Sequence, residues 1–506
     1  MYIFNTPTKK GLIFIFIVVV YLLMGYLNYT RSFKIAFIGF FSILFFDALR
    51  SYFHSKVFQY IFYFVAFVLF LNLGFHAVLR DMFGVAQEDI LVMQSIMNTD
   101  IQESKEFLFQ YKWHLLKHLF VICISFIFFI IFAFRPKSQI KNEKKALMLA
   151  LLFYILIHLN PSMRRSDPFV YFFYNYHKYE QSFEESKKLF ESINENLKSK
   201  KISSKYQGKN SANTIVWVIG ESDTRWNWSL YGYERDTNKY ISLLKDELLI
   251  INNAQAAAPA TVSAFELMMT EATKEKPEIW SKELNIVSIA NLAGYKTYWI
   301  SNHTSDKWGP INLFAKSATK TIFTNKGRAR GEGSFDEAIL KPFQEAIQDK
   351  TDKKFIIVHL MGSHPAYDYR YPKKFGIFTF LFNDKVISDL SDQGRYRAAL
   401  IFRNLYDNTI IYSDYVRYQI LNIIKKSKQK KDTTFVYHPD HGQDVCHNSN
   451  FSGHNYRAKQ QWDVPMIVWG KYKNKMQYLN NKKDVELDTI NSIMLDLLNI
   501  KEVEAK

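Results

Sequence analysis

The sequence is poor in cysteine and in acidic residues. Its 506 residues include only 2 cysteines, Cys123 in an apolar run and Cys446 in a polar region, and we expect no bond between them. A domain built on disulfides is therefore excluded. The 48 acidic residues are outnumbered by 65 lysines and arginines, which gives a formal net charge of +17. This excess favours contact with anionic lipid or phosphorylated glycan, with nucleic acid as the alternative.

The chain also lacks an internal repeat, and it is too long for one ordinary domain. Residues 1–160 are dominated by large apolar side chains, whereas the remainder has the composition of a soluble protein. We predict a transmembrane domain of five helices over 1–160, an interfacial or bridging helix with a linker over 161–213, and a soluble domain over 214–506.

Apolar runs that approach the roughly 20 residues of a membrane span lie at 11–29, 35–53, 57–79, 115–134 and 146–160. The first run is too long for a cleaved signal and has no small-residue cleavage site after it. Lysine and arginine are concentrated on the side of the amino terminus, which predicts that this side faces the cytoplasm. Five crossings then place the soluble domain outside the cytoplasm, and several membrane segments argue against nucleic acid as a partner.

Residues 167–198 begin with an aromatic cluster and continue as a charged helical pattern. This start favours a helix lying in the membrane interface, and a packed helix that bridges the two domains is the equal alternative. The Lys-, Ser- and Asn-rich residues 199–213 are typical of a linker.

Beyond residue 213, strand-like runs alternate with helical patterns, which predicts an α/β domain with a parallel or mixed sheet. The predicted strands are 214–220, 285–289, 296–301, 355–361, 433–438 and 465–469. The predicted helices are 262–273, 334–349 and 400–427.

Three of these strands end in residues that bind metals: Glu221, His364 and the pair Asp440-His441. In open α/β sheets, ligands gather beyond the carboxyl ends of the strands. Carboxylates with imidazole suit zinc or manganese. Four other residues lie close to Asp440-His441 in the sequence. They fit no better tetrahedral set and are predicted to be surface residues: His438, Asp444, Cys446 and His447. We assign no function to His303.

A small-residue loop at 256–263 precedes a helical pattern and contains Thr261. Taken alone, Thr261 is an N-cap of that helix, whose backbone donors favour a phosphate. A nearby metal would make its hydroxyl a nucleophile.

Several short motifs occur together in a characteristic order: Gly220-Glu221-Ser222, Leu230–Thr237, Pro259-Ala260-Thr261, Tyr298–Asn302, Val358–His364, Tyr369–Pro372, Tyr406–Thr409 and Asp440-His441-Gly442. This order resembles the bacterial phosphoethanolamine transferases, membrane members of the alkaline phosphatase and sulfatase superfamily. The likeness covers nearly the whole chain and is greatest to the branch that modifies lipopolysaccharide core sugars.

The resemblance implies that Glu221, Thr261, Asp440 and His441 bind the catalytic zinc and that Thr261 is the nucleophile. It implies that His364 and His454 hold the substrate phosphate, a second zinc or the leaving group, and that Asn302 contacts phosphate. A family triplet at four-residue spacing for the donor lipid corresponds to Ser95, Thr99 and Glu103, which we expect on one helix face. Ser95 replaces the family's Asn. The disulfides of the lipid A branch cannot form here.

The resemblance thus implies a zinc-dependent enzyme of the inner membrane with its catalytic domain in the periplasm. It would move phosphoethanolamine from phosphatidylethanolamine to lipopolysaccharide, on a core sugar such as heptose or on lipid A, through a phosphothreonine-type intermediate. We expect a monomer. The alternatives are a phosphoglycerol transferase, an exported phosphodiesterase or sulfatase, or a non-catalytic glycan-binding scaffold. A sulfatase is disfavoured because its nucleophile is a modified Cys or Ser.

Overall fold

The computed structural model describes residues 5–84, 90–99, 101–134, 142–198, 206–208, 213–304, 309–325 and 335–502. The chain forms two compact units. The first, here called the helical unit, comprises Met1–Met93 and Tyr111–Glu180. The second, here called the sheet unit, comprises Gln94–Gln110 and Gln181–Lys506. A short segment between two predicted spans thus belongs to the sheet unit.

Helices account for most of the described chain up to residue 198. They are α1 (Asn5–Leu23), α2 (Tyr29–Phe53), α3 (Lys56–Val78), α4 (Ile90–Asn98), α5 (Ile101–Phe134), α6 (Glu143–Leu159), α7 (Pro161–Arg164) and α8 (Pro168–Lys198). The last of these occupies the predicted interfacial or bridging segment as one continuous helix.

Helices occupy all five predicted membrane runs. Among the described residues, three stretches are long and apolar enough to cross a membrane, namely Tyr29–Phe53, Lys56–Phe83 and Ser104–Phe132. The helices α1 and α6, with 19 and 17 residues, are not among them. The structure therefore supports a helical membrane region, and the count of five spans stays a prediction.

A buried ion pair explains how α2 carries an acidic residue in an apolar run. Asp47 is fully buried, and its Oδ1 accepts from Lys10 Nζ at 2.8 Å and from Arg50 Nη2 at 2.6 Å. Two cations beside one carboxylate offset the cost of removing it from water. Asp47 therefore has a structural role that joins α1 to α2.

The sheet unit is built on seven strands in the order β3-β11-β8-β2-β7-β5-β6. Their bounds are β2 (Asn213–Gly220), β3 (Leu249–Ile251), β5 (Lys296–Ser301), β6 (Lys320–Phe323), β7 (Lys353–His359), β8 (Thr433–Pro439) and β11 (Met466–Gly470). β11 pairs antiparallel with both of its neighbours, β3 and β8, and the other strand pairs of this sheet are parallel. The predicted mixed sheet is thus present, with β3 and β6 as edge strands that the sequence pattern did not show.

Three further strand pairs lie outside this sheet. They are β1 (Tyr206–Gly208) with β13 (Ile500–Glu502), β4 (Ala254–Gln255) with β12 (Val485–Glu486), and β9 (Asp444–Val445) with β10 (Ser452–Gly453). The helices of this unit are α9 (Thr261–Met269), α10 (Ile286–Leu292), α11 (Pro310–Lys316), α12 (Leu340–Gln348), α13 (Lys385–Asp392), α14 (Arg397–Lys426), α15 (Lys459–Trp462) and α16 (Ile490–Leu497).

The central strand β2 is buried on both faces. Ile215, Trp217 and Ile219 belong to one core cluster, which includes α9, α10 and α16. Val216 and Val218 belong to a second cluster, which includes α12 and α14. Because successive side chains of a strand point to opposite faces, a continuous apolar run is what a sheet covered by helices on both sides requires.

The predicted strand at 285–289 is wrong, because these residues begin α10. The side chain of Asn285 caps the helix by accepting from Ser288 N at 3.0 Å. Ile286, Val287 and Ile289 then pack into the first core cluster. A short apolar run is consistent with a buried strand or a buried helix, and the Asn cap was the signal that distinguished them.

Candidate active site

The ends of β2 and β8 place three metal-binding side chains together. The strands are paired up to Gly220 and Pro439, so Glu221 and Asp440 follow at the same level of the sheet. Asp440 N donates to Gly220 O at 3.1 Å, which continues the pairing by one step. This register is the physical reason that residues so distant in sequence meet at one edge.

The backbone around Glu221 is closely packed. Ser222 has a φ of 58°, and its N–H donates to Asp440 Oδ1 at 3.1 Å. On the other side, Ser363 N donates to Glu221 O at 2.9 Å. Gly362 has a φ of +50°, and a Cβ there would lie 2.8 Å from Glu221 O. The turn after β7 therefore requires glycine, and it carries His364 past the Glu221 backbone.

Glu221, Asp440 and His441 offer one ligand atom each, all within 4.8 Å of one another. His441 Nε2 lies 3.6 Å from Glu221 Oε1 and 3.4 Å from Asp440 Oδ2. His441 Nδ1 lies 2.9 Å from the carbonyl oxygen of Gly442, to which it donates, so Nε2 of the neutral ring carries a lone pair. Asp440 Oδ2 is buried and has no hydrogen-bond partner in the described chain. This donor set fits a zinc ion.

Thr261 is the first residue of α9, and its hydroxyl lies against the same set. Its Oγ1 is 3.3 Å from Glu221 Oε2 and 3.3 Å from His441 Nε2. The prediction that Thr261 caps the helix is wrong, because the cap position is Ala260 and no side chain bonds there. The structure thus brings together all four residues implied as zinc ligands.

The site is electrostatically unbalanced without a cation. Burial, and then the negative charge of Asp440, raise the pKa of Glu221 well above its usual range. Two carboxylates that share a buried pocket oppose each other's ionisation. A divalent cation between them would remove that opposition.

His454 lies directly beside the metal-binding set. Its ring centroid is 4.6 Å from that of His441, and its Nδ1 lies 3.3 Å from Pro259 O, two residues before the nucleophile candidate. Burial, together with the neighbouring His441, lowers the pKa of His454 to about 3. His454 thus lies next to His441 and against the loop that carries Thr261.

His364 is held by Arg370. Arg370 Nη2 lies 3.3 Å from His364 Nδ1, and its Nε donates to His364 O at 3.2 Å. Arg370 Nη2 also donates to Pro365 O at 2.6 Å. Arg370 therefore fixes the backbone that carries His364.

The segment 94–110 contacts the three elements that carry the reactive side chains. Gln94 Nε2 donates to both carboxylate oxygens of Glu266 on α9, at 3.0 and 2.8 Å. Arg370 Nη2 donates to Glu106 Oε2 at 2.6 Å. Gln110 accepts from Ala366 N at 3.1 Å and donates to Ser452 O at 3.2 Å. Sequence reasoning missed these contacts, because no local pattern links residues more than 150 positions apart.

The three residues implied as donor contacts do not share one helix. Ser95 lies on α4, which ends at Asn98, and α5 begins at Ile101. Thr99 follows the end of α4, and its hydroxyl donates to Ser95 O at 2.6 Å. Both side chains are exposed, and the side chain of Glu103 lies outside the described residues. The expectation of a single helix face is wrong, and the donor-binding role of the three residues stays a prediction.

Asn302 is fully buried and bound to protein groups. Its Nδ2 donates to Asp336 Oδ1 at 2.9 Å, and its Oδ1 accepts from Thr324 at 2.8 Å. These bonds give it a structural role at the end of β5, and its contact with phosphate stays a prediction.

A second metal-binding set shares Glu221. Ligand atoms of Glu221, His303 and His359 also lie within 4.8 Å of one another. The two imidazole rings are stacked at 3.9 Å, and His359 Nε2 is buried with no hydrogen-bond partner in the described chain. The sequence analysis did not predict His359 as a possible metal ligand. Its position near the end of the predicted strand 355–361 was a signal that could have indicated it.

The residues predicted to be surface residues are largely buried. His438, Asp444 and Cys446 are fully buried, and His447 is only slightly exposed. His438 accepts from Trp217 Nε1 at 2.8 Å and donates to Pro439 O at 2.9 Å. Both of its ring nitrogens thus have partners within the protein. His438 is excluded from the metal set because of these bonds, and not because it lies on the surface.

A family model for sulfatases matches residues 213–500, which is more than half of the chain. The chain therefore belongs to the sulfatase family. Phosphoethanolamine transferase EptC of Escherichia coli (strain K12) is 30% identical over 313 residues, which cover 60% of this chain and 52% of EptC. Phosphoethanolamine transferase CptA of Salmonella typhimurium is 29% identical over 269 residues, 51% of this chain and 45% of CptA. The matches span about half the length of these curated relatives.

Solved structures agree with this assignment. The periplasmic domain of E. coli EptC, in complex with Zn, has a TM-score of 0.53 and 28% identity, covering 59% of this chain and 85% of that domain. The integral membrane protein EptA of Neisseria meningitidis has a TM-score of 0.63 over 99% of this chain and 96% of its own. Its identity of 18% supports the fold alone. The predicted resemblance to the phosphoethanolamine transferases is confirmed.

Proposed function

We propose that this chain is a zinc-dependent transferase that moves phosphoethanolamine from phosphatidylethanolamine to lipopolysaccharide. The observation that carries the proposal is the hydroxyl of Thr261, 3.3 Å from both Glu221 Oε2 and His441 Nε2, in a site where Asp440 Oδ2 has no hydrogen-bond partner among the described residues. The names of the curated relatives supply the transferred group.

Glu221, Asp440 and His441 would hold the zinc together with Thr261. When bound there, zinc would lower the pKa of the Thr261 hydroxyl and neutralise charge on the phosphoryl oxygens. A second zinc, held by His364 and His454 or by the His303 and His359 pair, is a further proposal.

In the first step, the Thr261 hydroxyl loses its proton and Oγ1 forms a bond to the donor phosphorus, while the bond from phosphorus to the glycerol oxygen breaks. The departing glycerol oxygen takes a proton in exchange, for which the protonated form of His364 is the proposed donor. Diacylglycerol leaves, and phosphoethanolamine remains on Thr261. His454, which lies against the loop that carries Thr261, would contact the phosphoryl oxygens.

In the second step, an acceptor hydroxyl or phosphate attacks the same phosphorus, and the bond from phosphorus to Thr261 Oγ1 breaks. A hydroxyl acceptor loses its proton, and the Thr261 oxygen regains one. A heptose or other core sugar is the first choice of acceptor, and lipid A phosphate the second. The positively charged chain would attract phosphorylated lipopolysaccharide. Ser95, Thr99 and Glu103 would contact the donor, since their segment bonds to α9 and to the His364 loop.

The helical unit would lie in the inner membrane and the sheet unit in the periplasm. Three crossings or five both place the chain after the last span on the side opposite the amino terminus. The lysine-rich side then faces the cytoplasm. We also propose that the chain acts as a monomer.

The test is a transfer assay with full-length protein in vesicles and two donors. Phosphatidylethanolamine labelled in its headgroup should label lipopolysaccharide, and the same lipid labelled in its glycerol should release labelled diacylglycerol. Phosphatidylglycerol should serve as a poor donor. Transfer from phosphatidylglycerol alone would replace the donor, and no transfer from either lipid with zinc bound would favour a phosphodiesterase or a scaffold.

A further inference from the structure

A turn of the sheet unit exposes three large apolar side chains. Residues 376–382 follow the His364 loop, and within them Ile377, Phe380 and Leu381 are 43%, 59% and 75% exposed. Adjacent apolar side chains at the tip of a turn are an uncommon surface for a soluble domain and mark an interaction site. We propose that this turn, here called the apolar turn, inserts into the interface of the lipid bilayer to which the chain is tethered.

The apolar turn is rigid. Asn408 accepts from Phe378 N and donates to Phe378 O, both at 2.9 Å. Asn404 Nδ2 donates to Thr379 O at 2.9 Å and to Phe382 O at 3.1 Å. Two asparagines of α14 thus fix the backbone on both sides of the tip.

Two phenylalanines anchor the turn to the core. Phe378 and Phe382 pack into the second core cluster, and the Arg235 guanidinium lies 4.1 Å from the centre of the Phe378 ring. Because Phe378 and Phe382 are anchored in the core, the backbone between them holds the exposed apolar side chains in place. These side chains need little further ordering before they contact lipid. A preordered apolar tip loses little conformational entropy on insertion, which favours membrane binding.

Basic residues stand next to the apolar tip. Lys373 and Lys374 are exposed on the amino-terminal side, and the Lys374 side chain is 64% exposed, although Glu337 Oε1 lies 4.0 Å from its Nζ. Lys385 on the other side is 69% exposed, although Glu234 and Asp389 accept from it. Lysines that flank an apolar tip match the order of a bilayer interface, where phosphates lie outside the acyl chains.

The tethering of the chain selects the bilayer over other partners. Among the described residues, three helical stretches are long and apolar enough to span a membrane, so a lipid surface is available to the chain. The turn begins six residues after Arg370, so its insertion would bring the His364 loop to the lipid surface. The inference rests on the turn itself and not on the transfer reaction.

The test places fluorophores on the full-length protein in vesicles of phosphatidylethanolamine and phosphatidylglycerol. Leu381→Cys is labelled with NBD in a Cys123→Ser background, which leaves only the buried Cys446. Leu243→Cys is the matched control, since Leu243 is 69% exposed. It lies near Glu247, which pairs with Lys425 at the far end of α14, about 25 Å along the helix from Asn408.

We expect doxyl-labelled lipid to quench the fluorophore at 381 several-fold more strongly than iodide does, and the reverse at 243. Equal quenching by iodide at both positions would overturn the proposal. Protection of position 381 from both quenchers would also overturn it, and would indicate a protein partner.

A charge variant tests the role of the lysines. Removing phosphatidylglycerol should reduce lipid quenching at 381 by at least about two-fold, and Lys373→Glu with Lys374→Glu should abolish this dependence. Lipid quenching that ignores both changes would overturn the part of the proposal that concerns charge.

Discussion

Two buried acidic residues that stand two positions apart after β2 have opposite surroundings. Asp223 is enclosed by donors: Arg417 Nη1 at 3.0 Å, the Tyr437 hydroxyl at 2.7 Å and Trp228 Nε1 at 2.6 Å. A cation and two neutral donors satisfy its charge within the protein. Asp223 and its partners form a structural centre.

Glu221 has no cationic side chain among these contacts. It accepts from the Ser222 hydroxyl at 2.7 Å and lies against Thr261, while the neighbouring Asp440 adds a second negative charge. Asp223, whose counter-charge comes from the protein itself, has a structural role. Glu221, which has no such counter-charge among these contacts, is available to bind a metal. The ion pair at Asp47 follows the first pattern.

The largest effect is expected when the functional site loses one carboxylate. Glu221→Gln and Asp440→Asn should each lower the transfer rate by at least about 10³-fold, because they remove a ligand of the zinc. The zinc content, measured by atomic absorption, should fall with the rate. In metal-free protein the melting temperature should stay level or rise, because the repulsion between the carboxylates is gone. A lower melting temperature without metal would show that these residues are structural.

The structural site should respond in the opposite way. Asp223→Asn leaves Arg417 buried with its charge unpaired, so we expect a loss of about 3–5 kcal/mol in the free energy of unfolding. The folded fraction should retain its zinc. Denaturant unfolding of the purified chain measures the loss, and Asp223→Asn combined with Arg417→Met should recover part of it. An Asp223→Asn protein that is as stable as the unchanged protein but has lost its zinc would contradict the structural role of Asp223.

Glu266 is a third buried acid, and its side-chain partner is the neutral amide of Gln94. Burial raises its pKa to about 8, against 4.5 for an ordinary glutamate. The folded state then holds the proton more tightly than the unfolded state, so stability is highest at acid pH and falls as the pH rises from 4.5 towards 8. Glu266→Gln should flatten this slope and stabilise the protein at pH 8 by on the order of 3 kcal/mol.

Melting temperatures of both proteins across that pH range test the Glu266 prediction. Thr351→Ser, at a half-buried position of the same unit where serine keeps the hydroxyl that bonds to Asp349, provides a control whose pH slope should match the unchanged protein. Identical slopes for Glu266→Gln and the unchanged protein would show that Glu266 is ionised.

The smallest effect is expected from the residues that position His364. Arg370→Lys and Glu106→Gln should lower kcat by about 10–100-fold with little change in KM, because the loop that carries His364 loses its fixed position while the metal site is intact. The double variant should be no slower than Arg370→Lys, since both act through one contact. Additive losses, or a change confined to KM, would contradict the positioning role.

The central strands were predictable because each carries a continuous apolar run, and the metal set was predictable because acids and histidines follow those runs. Edge strand β6 was missed since it is only four residues long and partly exposed. His359 was overlooked because its stacking on His303 depends on the register between β5 and β7. The contacts of segment 94–110 depend on long-range folding, which no local pattern contains.

The nucleophile is tested most directly by mass spectrometry of the peptide that contains Thr261, from protein purified out of membranes rich in phosphatidylethanolamine. We predict a phosphoethanolamine adduct on Thr261 that is absent from Glu221→Ala protein. An adduct from another phospholipid would keep the nucleophile and replace the donor. Unmodified Thr261 with every donor, in protein that binds zinc and retains transfer activity, would contradict its role.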